Sequence, residues 1–491
     1  MINLEQQNIL NKLIANLNPM QIAWVSGYLA GTLANNTQIN DVDNAKIKTI
    51  FDNFKDLTII YITETGNSKF LANELTKKFK EQKINIKLKA VEQYRHSDFI
   101  SEKNLLLITS THGDGEVPES GKGFFDFIKN NQLDLTNLNF AIIALGDKNY
   151  PLFCKAGKDF AEVLVTKKAV SIIDNIELDL DFENHLASIF SQIFANFQNK
   201  NSKQINDHKA IDPEVKSTQS NQFTGKIIAN TNLNDDGSTK QTHHLEILSD
   251  QEIDYQPGDS LGILFDNEDL KITGKITPRL YSIASAKSQH CNEIHLCVGL
   301  VRYKDSLGQE IFGLFSNKLA SLKINDSIKF YLSKNRQFKL PKEDRDIIMV
   351  GAGTGIAAFR SFLFERNATN ASGKNWLFFG ERNIRSDFLY QSELQDFLAS
   401  KVLTKLTLAF SRDQEQKIYV QDRLQENAYE VYKWLENDSY FYVCGDKENM
   451  AKAVEQTLLN IIAKCGNKDS IQAKNYLDNL KEQGRYLLDV Y

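Results

Sequence analysis

Three loops rich in glycine, hydroxyl and amide side chains follow successive apolar segments in the first half of the chain. They cover residues 63–68, 110–116 and 145–154. The first leads into a helical pattern, and the backbone N–H groups and hydroxyls at a helix start suit a phosphate monoester. One such loop alone is weak evidence, because glycine and hydroxyl turns often begin helices. Three of them after successive strands indicate a single ligand site.

A second group of candidate residues lies in the middle of the chain. Arg279, Tyr281 and Ser282 place a cation, an aromatic ring and a hydroxyl within four residues of one predicted strand. Arginine can pair with a pyrophosphate, tyrosine can stack on a flat ring, and serine can face a reacting nitrogen. This spacing therefore favours a large cofactor with both a phosphate group and a ring.

A glycine-rich turn, residues 351–356, follows an apolar strand in the last third of the chain. Glycines let the backbone approach a pyrophosphate, and the helix start that follows favours negative charge. The turn lacks the Gly-Lys-Ser/Thr ending of a Walker A loop. Downstream, residues 411–412 and 417–421 supply two cations with hydroxyl and amide donors. These residues could hold a ribose 2′-phosphate, although a solvated surface loop is the alternative.

The first loops sit in a pattern of alternating strands and helices. Strand-like runs cover residues 57–62, 84–88, 105–109, 140–145 and 169–173, and helical stretches such as residues 69–82 and 121–130 separate them. Such alternation predicts a parallel sheet with helices on both faces. Ligands bind these sheets at the carboxyl ends of their strands, where the three loops are placed.

The remaining sequence divides by composition. The 491 residues predict about three domains, at about 150 residues each. Residues 1–55 read as a helical segment, 56–197 as the first α/β domain, and 198–222 as a flexible linker without aromatic side chains. Residues 223–342 carry short apolar runs typical of an antiparallel barrel, and residues 343–491 return to strand–helix alternation.

Charge and cysteine content exclude several classes of protein. The formal net charge is −5, so nucleic acid is not the expected partner. No apolar run is long enough to span a bilayer, and the first residues lack the basic start of a signal peptide. None of the five cysteines forms a CxxC pair, so we predict neither a metal site nor a disulfide framework. A cytoplasmic location is the expectation.

The three loops of the first domain resemble the FMN site of flavodoxin-like proteins, over residues 57–197. The resemblance implies that residues 63–68 hold the ribityl phosphate. It also implies that residues 110–113 and 145–154 flank the flavin ring, with Tyr150 stacked on it. The implied FMN residues are Thr63, Glu64, Thr65, Gly66, Asn67, Ser68, Ser110, Thr111, His112, Gly113, Leu145, Gly146, Asp147, Lys148, Asn149, Tyr150, Phe153 and Cys154.

The barrel resembles the FAD domain of ferredoxin–NADP reductase-like proteins. The turn at residues 257–259 matches the family as well, and residues 313–316 begin a helix suited to the FAD pyrophosphate. The residues that this resemblance places at FAD are Arg279, Leu280, Tyr281, Ser282, Cys297, Val298, Gly299, Tyr303, Gly313, Leu314, Phe315 and Ser316.

The last domain resembles the NADP-binding α/β domain of the same reductases, and NADPH is expected over NADH. The implied nucleotide residues are Gly353, Thr354, Ser411, Arg412, Lys417, Tyr419, Gln421, Asp446 and Tyr491. Ser282, Cys444 and Asp489 are expected to surround the site of hydride transfer, and Tyr491 to stack on the flavin until nicotinamide displaces it. These four residues form the predicted catalytic group.

This order of domains resembles the NADPH-dependent diflavin reductases, and among them the flavoprotein (alpha) components of assimilatory sulfite reductase. Residues 21–29, 373–380, 387–390 and 489–491 support the second resemblance. One departure is plain. Family members insert a helical connecting domain of about a hundred residues before the Arg-Leu-Tyr-Ser tetrad (an expectation from the resemblance), whereas here only nineteen residues separate Asp259 from Arg279.

The resemblance implies transfer of electrons from NADPH through FAD to FMN, and then singly to a hemoprotein that carries siroheme and an iron–sulfur cluster. The chain has no cysteine cluster for such a centre, so sulfite chemistry would lie in that partner. The alternatives are a reductase of a cytochrome P450 or other heme protein, and an electron-transfer subunit with little activity alone. The N-terminal segment is expected either to cover the FMN domain or to form a homo-oligomer.

Overall fold

A computed structural model describes residues 55–199 and 222–491, except residues 114, 275, 305 and 306. The predicted N-terminal helical segment, nearly all of the predicted linker and the supporting stretch at residues 21–29 lie outside these residues. The described chain contains three sheets of five or six strands and one two-stranded ribbon.

The first sheet is parallel and has six strands in the order β2-β1-β3-β4-β5, with β6 paired to β4. Its strands are β1 (Asp56–Ile62), β2 (Asn85–Ala90), β3 (Asn104–Ser110), β4 (Asn139–Leu145), β5 (Val170–Ser171) and β6 (Ile176–Leu178). The predicted strand at residues 169–173 is wrong in its length. Val170 and Ser171 are exposed and pair with the first two residues of β4, whereas β6 pairs with the last three residues of β4.

Four helices cover the two faces of this sheet. They are α1 (Asn67–Glu81), α2 (Glu119–Asn130), α3 (Lys155–Thr166) and α4 (Leu186–Asn199). Leu71, Leu75 and Phe79 of α1 pack with β1 and β3 on one face, whereas Phe124 and Phe160 are buried on the other. Burial on both faces explains the continuous apolar runs of the central strands. Short 3₁₀ turns lie at Val91–Gln93, His96–Ser101 and Phe182–His185.

The second sheet is antiparallel, in the order β10-β9-β14-β7-β8-β11. Its strands are β7 (Gln222–Asn232), β8 (Thr242–Ser249), β9 (Ser260–Leu264), β10 (Arg279–Ser282), β11 (Glu293–Gly299) and β14 (Ser327–Ser333), and β12 (Arg302–Lys304) pairs with β13 (Glu310–Phe312) as a separate ribbon. A bridge between Ile283 and Leu296 joins the two edges, so the sheet curls into a barrel. Helices α5 (Asn267–Leu270), α6 (Lys287–His290) and α7 (Leu314–Ser321) lie around it.

The barrel accommodates the missing insertion by direct pairing of β9 and β10. Arg279 lies opposite Ile263, and Ser282 lies opposite Ser260. The link between these strands is residues 265–278, and its described residues contain one helix, the short α5. The tetrad therefore sits on β10, which pairs directly with β9, the strand on the other side of the expected insertion point.

The third sheet is parallel, in the order β17-β16-β15-β18-β19. Its strands are β15 (Ile347–Ala352), β16 (Asn375–Glu381), β17 (Lys405–Phe410), β18 (Tyr440–Gly445) and β19 (Tyr486–Val490). The surrounding helices are α8 (Ile356–Ala368), α9 (Ile384–Asp387), α10 (Gln391–Ala399), α11 (Val420–Glu426), α12 (Ala428–Glu436), α13 (Lys452–Cys465) and α14 (Ser470–Glu482), with a 3₁₀ turn at Gly353–Gly355 and a π turn at Lys447–Ala451. The predicted fold class is confirmed: two doubly wound α/β units flank an antiparallel barrel.

Alanine substitutions at two helical glycines of the first unit distinguish the effect of helix propensity from that of close packing. A Cβ on Gly157 in α3 would lie 2.4 Å from Ala144 Cβ, whereas a Cβ on Gly123 in α2 would come no closer than 4.0 Å to His96. We expect Gly157→Ala to lower the free energy of unfolding by about 1–3 kcal/mol through overpacking. Gly123→Ala should raise it by about 0.5–1 kcal/mol, because alanine loses less entropy in a helix. Urea midpoints from circular dichroism measure both, and equal midpoints would contradict the packing argument.

Candidate functional site

One cavity of about 3,100 Å³ reaches all three units. It opens at the carboxyl ends of the strands in both α/β units, where residues 63–66 and 353–354 lie, and runs along the barrel strand β10. The predicted site residues that line it are Thr63, Glu64, Thr65, Gly66, His112, Arg279, Leu280, Tyr281, Ser282, Cys297, Gly299, Tyr303, Gly313, Leu314, Phe315, Ser316, Gly353, Thr354, Ser411, Tyr419, Gln421, Asp446, Asp489 and Tyr491.

The other predicted site residues lie outside the cavity lining. They are Asn67, Ser68, Ser110, Thr111, Gly113, Leu145, Gly146, Asp147, Lys148, Asn149, Tyr150, Phe153, Cys154, Val298, Arg412, Lys417 and Cys444. Most belong to the second and third loops of the first unit, which face the barrel in part. Their roles stay predictions.

The first loop has the backbone of an anion site. Gly66 adopts a φ of 85°, and its N–H donates to Thr63 Oγ1 at 3.0 Å before α1 begins. Two hydroxyls nearby, Ser68 Oγ and Thr111 Oγ1, are buried and have no hydrogen-bond partner among the described residues. Buried hydroxyls without partners are rare in folded proteins, and they fit a site completed by a phosphate ligand.

An ion pair between Glu64 and His112 joins the first and second loops. Burial alone would raise the pKa of the Glu64 carboxyl, but the hydrogen bond and charge of His112, with the more distant Lys447, lower it below its usual value. Glu64 is thus held as a carboxylate at the cavity wall. Lys447 belongs to the third sheet's unit, so charge already links the two α/β units here.

The third loop is held by contacts within the fold. Cys154 adopts a φ of 56°, is fully buried and donates through Sγ to the Ala144 carbonyl at 3.2 Å. Burial raises the pKa of this thiol to about 12, so it is a packing group rather than a nucleophile. Asp147 accepts from the backbone and side-chain nitrogens of Asn149, each at 2.8 Å.

The barrel presents its signature residues to the cavity from β10 and α7. Arg279 is exposed, and its guanidinium pairs with no side chain in the described part of the chain. A cation without a partner at a cavity wall fits a pyrophosphate. Ser316 Oγ accepts from Val301 N at 3.1 Å and donates to the Gly313 carbonyl, so this hydroxyl orders the start of α7.

Ser282, Cys444 and Asp489 meet around one carboxylate oxygen. Ser282 Oγ donates to Asp489 Oδ2 at 2.8 Å, and Cys444 Sγ donates to the same atom at 3.7 Å. Parallel pairing places Cys444 opposite Asp489 on adjacent strands. A Cβ on Gly355 would stand 2.1 Å from the Cys444 carbonyl. Glycine is therefore needed where the predicted nucleotide turn, the glycine-rich residues 351–356, crosses this group.

Burial controls the protonation of this group. It raises the pKa of Asp489 above its usual range, while the hydrogen bonds from Ser282 and Cys444 and the charge of Lys339 act in the opposite direction. Burial and the neighbouring Asp489 raise the pKa of the Cys444 thiol far above its usual value. Cys444 therefore stays a thiol at neutral pH, and it can donate a hydrogen bond but not attack.

Tyr491 lies against the nucleotide turn. Its hydroxyl is 2.8 Å from Thr354 Oγ1, and its N–H donates to the Gly445 carbonyl at 3.1 Å. Asp446, predicted to touch the cofactor, caps the following turn by accepting from Asn449 N and Met450 N at 2.6 and 2.9 Å. Burial opposes ionisation of Asp446, but these bonds lower its pKa. Its carboxylate thus has a structural task that the motif did not reveal.

Sequence reasoning missed Lys240. This barrel residue lines the cavity, pairs with the buried Glu381, and its Nζ is 3.6 Å from the position that a Cβ on Gly353 would take. It adds a cation beside the nucleotide turn from more than a hundred residues upstream. No local motif surrounds Lys240, so nothing in its sequence neighbourhood could have identified it.

The cations expected at a 2′-phosphate are free to bind one. Arg412 and Lys417 are exposed and have no ion pair or side-chain hydrogen bond within the described ranges. Ser411, Tyr419 and Gln421 line the adjacent cavity wall. An exposed cation pair beside a nucleotide cavity is suited to a phosphate that NADH lacks.

One group of potential metal ligands, His244, Glu246 and His295, lies between barrel and third sheet. Arg360 Nη1 lies 3.1 Å from His295 Nδ1. A guanidinium can only donate, so neutral His295 carries its proton on Nε2, the atom that would face a metal. Burial and the Arg360 cation lower the pKa of His295 to about 2. This donor arrangement does not fit a cation.

Comparison with known proteins gives matches along the chain. Residues 59–191 match the flavodoxin family, and residues 349–456 match the oxidoreductase NAD-binding domain. The "Sulfite reductase [NADPH] flavoprotein alpha-component" of Bacillus subtilis is 31% identical over 596 residues, covering 100% of this chain and 98% of that protein. The chain belongs to this family. The alpha-components of Vibrio vulnificus and Shewanella sp. MR-4 are 31% and 32% identical, and at least 96% of each is covered.

This NADPH-dependent diflavin reductase uses FMN, FAD and NADPH. The alignment with the Bacillus alpha-component spans 596 positions, 105 more than the 491 residues of this chain. The difference agrees with the short β9–β10 link, where the resemblance predicts the connecting domain. No described helix combines the length and the apolar character needed to cross a membrane.

The raised pKa of Asp489 predicts a pH dependence of hydride transfer. If its carboxylate supports the transfer, flavin reduction by NADPH should slow as pH falls through a pKa above the usual aspartate range. Ser282→Ala removes a hydrogen bond that lowers this pKa, so the acid limb should move to higher pH. Asp489→Asn should be slow and lack that limb. Stopped-flow flavin absorbance measures all three, and an unchanged acid limb in Asp489→Asn would contradict the assignment.

The exposed cations predict cofactor choice. Arg412→Ala and Lys417→Ala should each raise the KM for NADPH about tenfold or more, the loss expected for one charged hydrogen bond. The KM for NADH should barely change, because NADH has no 2′-phosphate. Steady-state kinetics with both nucleotides measure the ratio. Lys464→Ala, an exposed lysine on α13 outside the cavity, is the matched control. Equal effects on both nucleotides would argue against 2′-phosphate recognition.

Proposed function

We propose that this chain is the flavoprotein component of an NADPH–sulfite reductase, delivering electrons to a hemoprotein with siroheme and an iron–sulfur cluster. The hemoprotein would reduce sulfite to sulfide for cysteine biosynthesis. The observation that carries this proposal is the single cavity connecting the first loop, β10 and the nucleotide turn. The similarity to sulfite reductase alpha-components over the whole chain supports the choice of acceptor.

The site residues receive roles by position. Thr63, Glu64, Thr65, Gly66, Asn67 and Ser68 would hold the FMN phosphate, with the second and third loops beside its ring. Arg279 and the start of α7 would hold the FAD pyrophosphate, and Tyr281 would stack on FAD. Gly353 and Thr354 would hold the nucleotide pyrophosphate, with Lys240 beside them and Arg412 and Lys417 at the 2′-phosphate.

The bound cofactors would supply the chemistry, namely hydride acceptance from NADPH at FAD and single-electron delivery at FMN, while the protein would supply position and electrostatics. The Asp489 carboxylate would stabilise positive charge that develops on nicotinamide. Ser282 and Cys444 fix that carboxylate by donating to Oδ2. Tyr491, held by Thr354 and Gly445, would leave its position to admit nicotinamide.

Electrons would leave through an acidic rim of the FMN unit, the carboxylates of Asp114, Glu116, Glu119 and Asp147 around its loops, and this rim would suit a basic partner. In the described arrangement part of this rim is covered. The charges of Lys447 and Lys452 act on Glu119, and Asp147 accepts a hydrogen bond from Tyr331 of the barrel. Contact with an external hemoprotein therefore requires the FMN unit to move away from the other two, as a gating step.

The functional division proposed for the chain is residues 56–197 for FMN, 223–342 for FAD and 343–491 for NADPH. Residues 198–222 would serve as the linker that permits this movement. A cytoplasmic location and a homo-oligomer formed through residues 1–55 complete the proposal.

Sulfide formation tests the acceptor. The purified chain, loaded with both flavins and NADPH, is assayed for sulfide with and without the siroheme hemoprotein, and for cytochrome c reduction alone. We expect sulfide only when the hemoprotein is present, and cytochrome c reduction by the chain without it. Asp489→Ala should lower the two rates in proportion, because both depend on entry of electrons from NADPH.

Two other results would change the conclusion. Cytochrome c reduction with no sulfide in the mixture would reject the hemoprotein as acceptor and leave another heme protein as the target. Failure of both reactions with the two flavins bound would show that the relay between flavins is broken, and would reject the proposed function.

A further inference from the structure

The barrel segment formed by residues 331–337 touches the FMN unit at the loops predicted to bind its cofactor. This segment is the end of β14 and the loop that follows it. Tyr331 Oη donates to Asp147 Oδ2 in the third loop, at 2.5 Å. Arg336 reaches the first loop. Two cofactor loops of one unit are therefore held by one short segment of another.

Arg336 makes most of these contacts. Its backbone N–H donates to the Thr65 carbonyl at 2.7 Å, and its Nε donates to Asn67 Oδ1 at 3.0 Å. Its guanidinium also pairs with Glu183 and lies 4.1 Å from the ring centroid of Phe70. A planar cation is suited to such combined pairing and stacking, and lysine would not replace it.

The contact with Asn67 has a consequence for the first loop. Because Asn67 Oδ1 accepts from Arg336, its Nδ2 donor is directed toward Thr65, whose Oγ1 is 3.3 Å away. The amide thus presents a donor to the loop that would hold the phosphate. Gly66 stands beside this contact, and a Cβ there would lie 2.9 Å from Gln337 Cγ, so glycine permits the close approach.

We propose that Arg336 makes FMN binding and the docking of the FMN unit on the barrel mutually dependent. Docking through Arg336 fixes the Thr65 carbonyl and the Asn67 amide in the form that receives the phosphate. By reciprocity, FMN that orders this loop strengthens docking to the same degree. The inference rests on the proposed function, since it requires FMN in the first loop. In this chain, the Arg336 contacts would align the two units directly, whereas the alignment with a relative is 105 positions longer than this chain.

The experiment uses the full chain with FAD retained and FMN removed. FMN affinity is measured by quenching of flavin fluorescence, and compaction on FMN addition by the radius of gyration from small-angle X-ray scattering. The variants are Arg336→Ala, Arg336→Lys and Lys334→Ala. Lys334 lies in the same loop, is exposed, and has no hydrogen bond or ion pair with the described FMN unit. Lys334→Ala therefore removes an equal charge and leaves the Arg336 contacts in place.

We expect the wild-type chain to compact when FMN binds. Arg336→Ala should bind FMN at least about fivefold more weakly, the lower end of typical coupling between sites, and should not compact. Arg336→Lys should resemble it, because the fork and the stacking are lost. Lys334→Ala should behave as wild type, and FAD content should stay constant in all variants.

Three results would overturn the coupling. They are unchanged FMN affinity in Arg336→Ala, weakened affinity with unchanged compaction, and an equal effect of Lys334→Ala. Failure of the wild-type chain to bind FMN at all would instead reject the proposed function, so the two failures are distinguishable.

Discussion

The buried carboxylate of Asp259 holds the junction of the three units. Its Oδ1 accepts from Asn335 N at 2.9 Å and from Lys339 Nζ at 2.5 Å, while Oδ2 accepts from Gln256 N at 2.9 Å. The turn before it is equally constrained, because a Cβ on Gly258 would lie 1.8 Å from the Phe338 carbonyl. An unpaired carboxylate at this depth would be costly, so the loop after β14 must return to this turn.

The loop that Asp259 fixes contacts two other units of the chain. Arg336 points from it to the FMN unit, and Lys339 points toward the third sheet, where its carbonyl accepts from Tyr442 Oη at 2.7 Å. Lys339 also contributes charge to Asp489. The carboxylate of Asp259 thus fixes a loop that contacts both α/β units, alongside the apolar cluster in which Phe338 and Ala284 pack against the third sheet. The common cavity follows, since each parallel sheet opens at the carboxyl ends of its strands.

Local patterns predicted most of the fold, because strands, helix starts and glycine turns depend on neighbouring residues. The three loops, the tetrad at Arg279–Ser282 and the nucleotide turn are of this kind. Lys240 and Arg336 are different: Arg336 lies 269 residues from Asn67, and no spacing connects them. Asp446 shows a third case: it lines the cavity, as a cofactor residue would, but its carboxylate caps the turn that follows. Residues that act through contacts between units can be identified only from the folded structure.

The short link between β9 and β10 changes which contacts position the FMN unit against the barrel. A large insertion can set the position of a neighbouring unit through a wide interface, whereas a hairpin-like link leaves this to the barrel's own loops. Here the path from Asp259 through Asn335 to Arg336 is a few residues long and ends at Thr65 in the first loop of the FMN unit. A small set of contacts can break together, which suits the proposed movement of the FMN unit between docking and delivery of electrons. The short link is therefore compatible with the proposed movement, because polar pairs such as Arg336–Glu183 and Tyr331–Asp147 can break and form again.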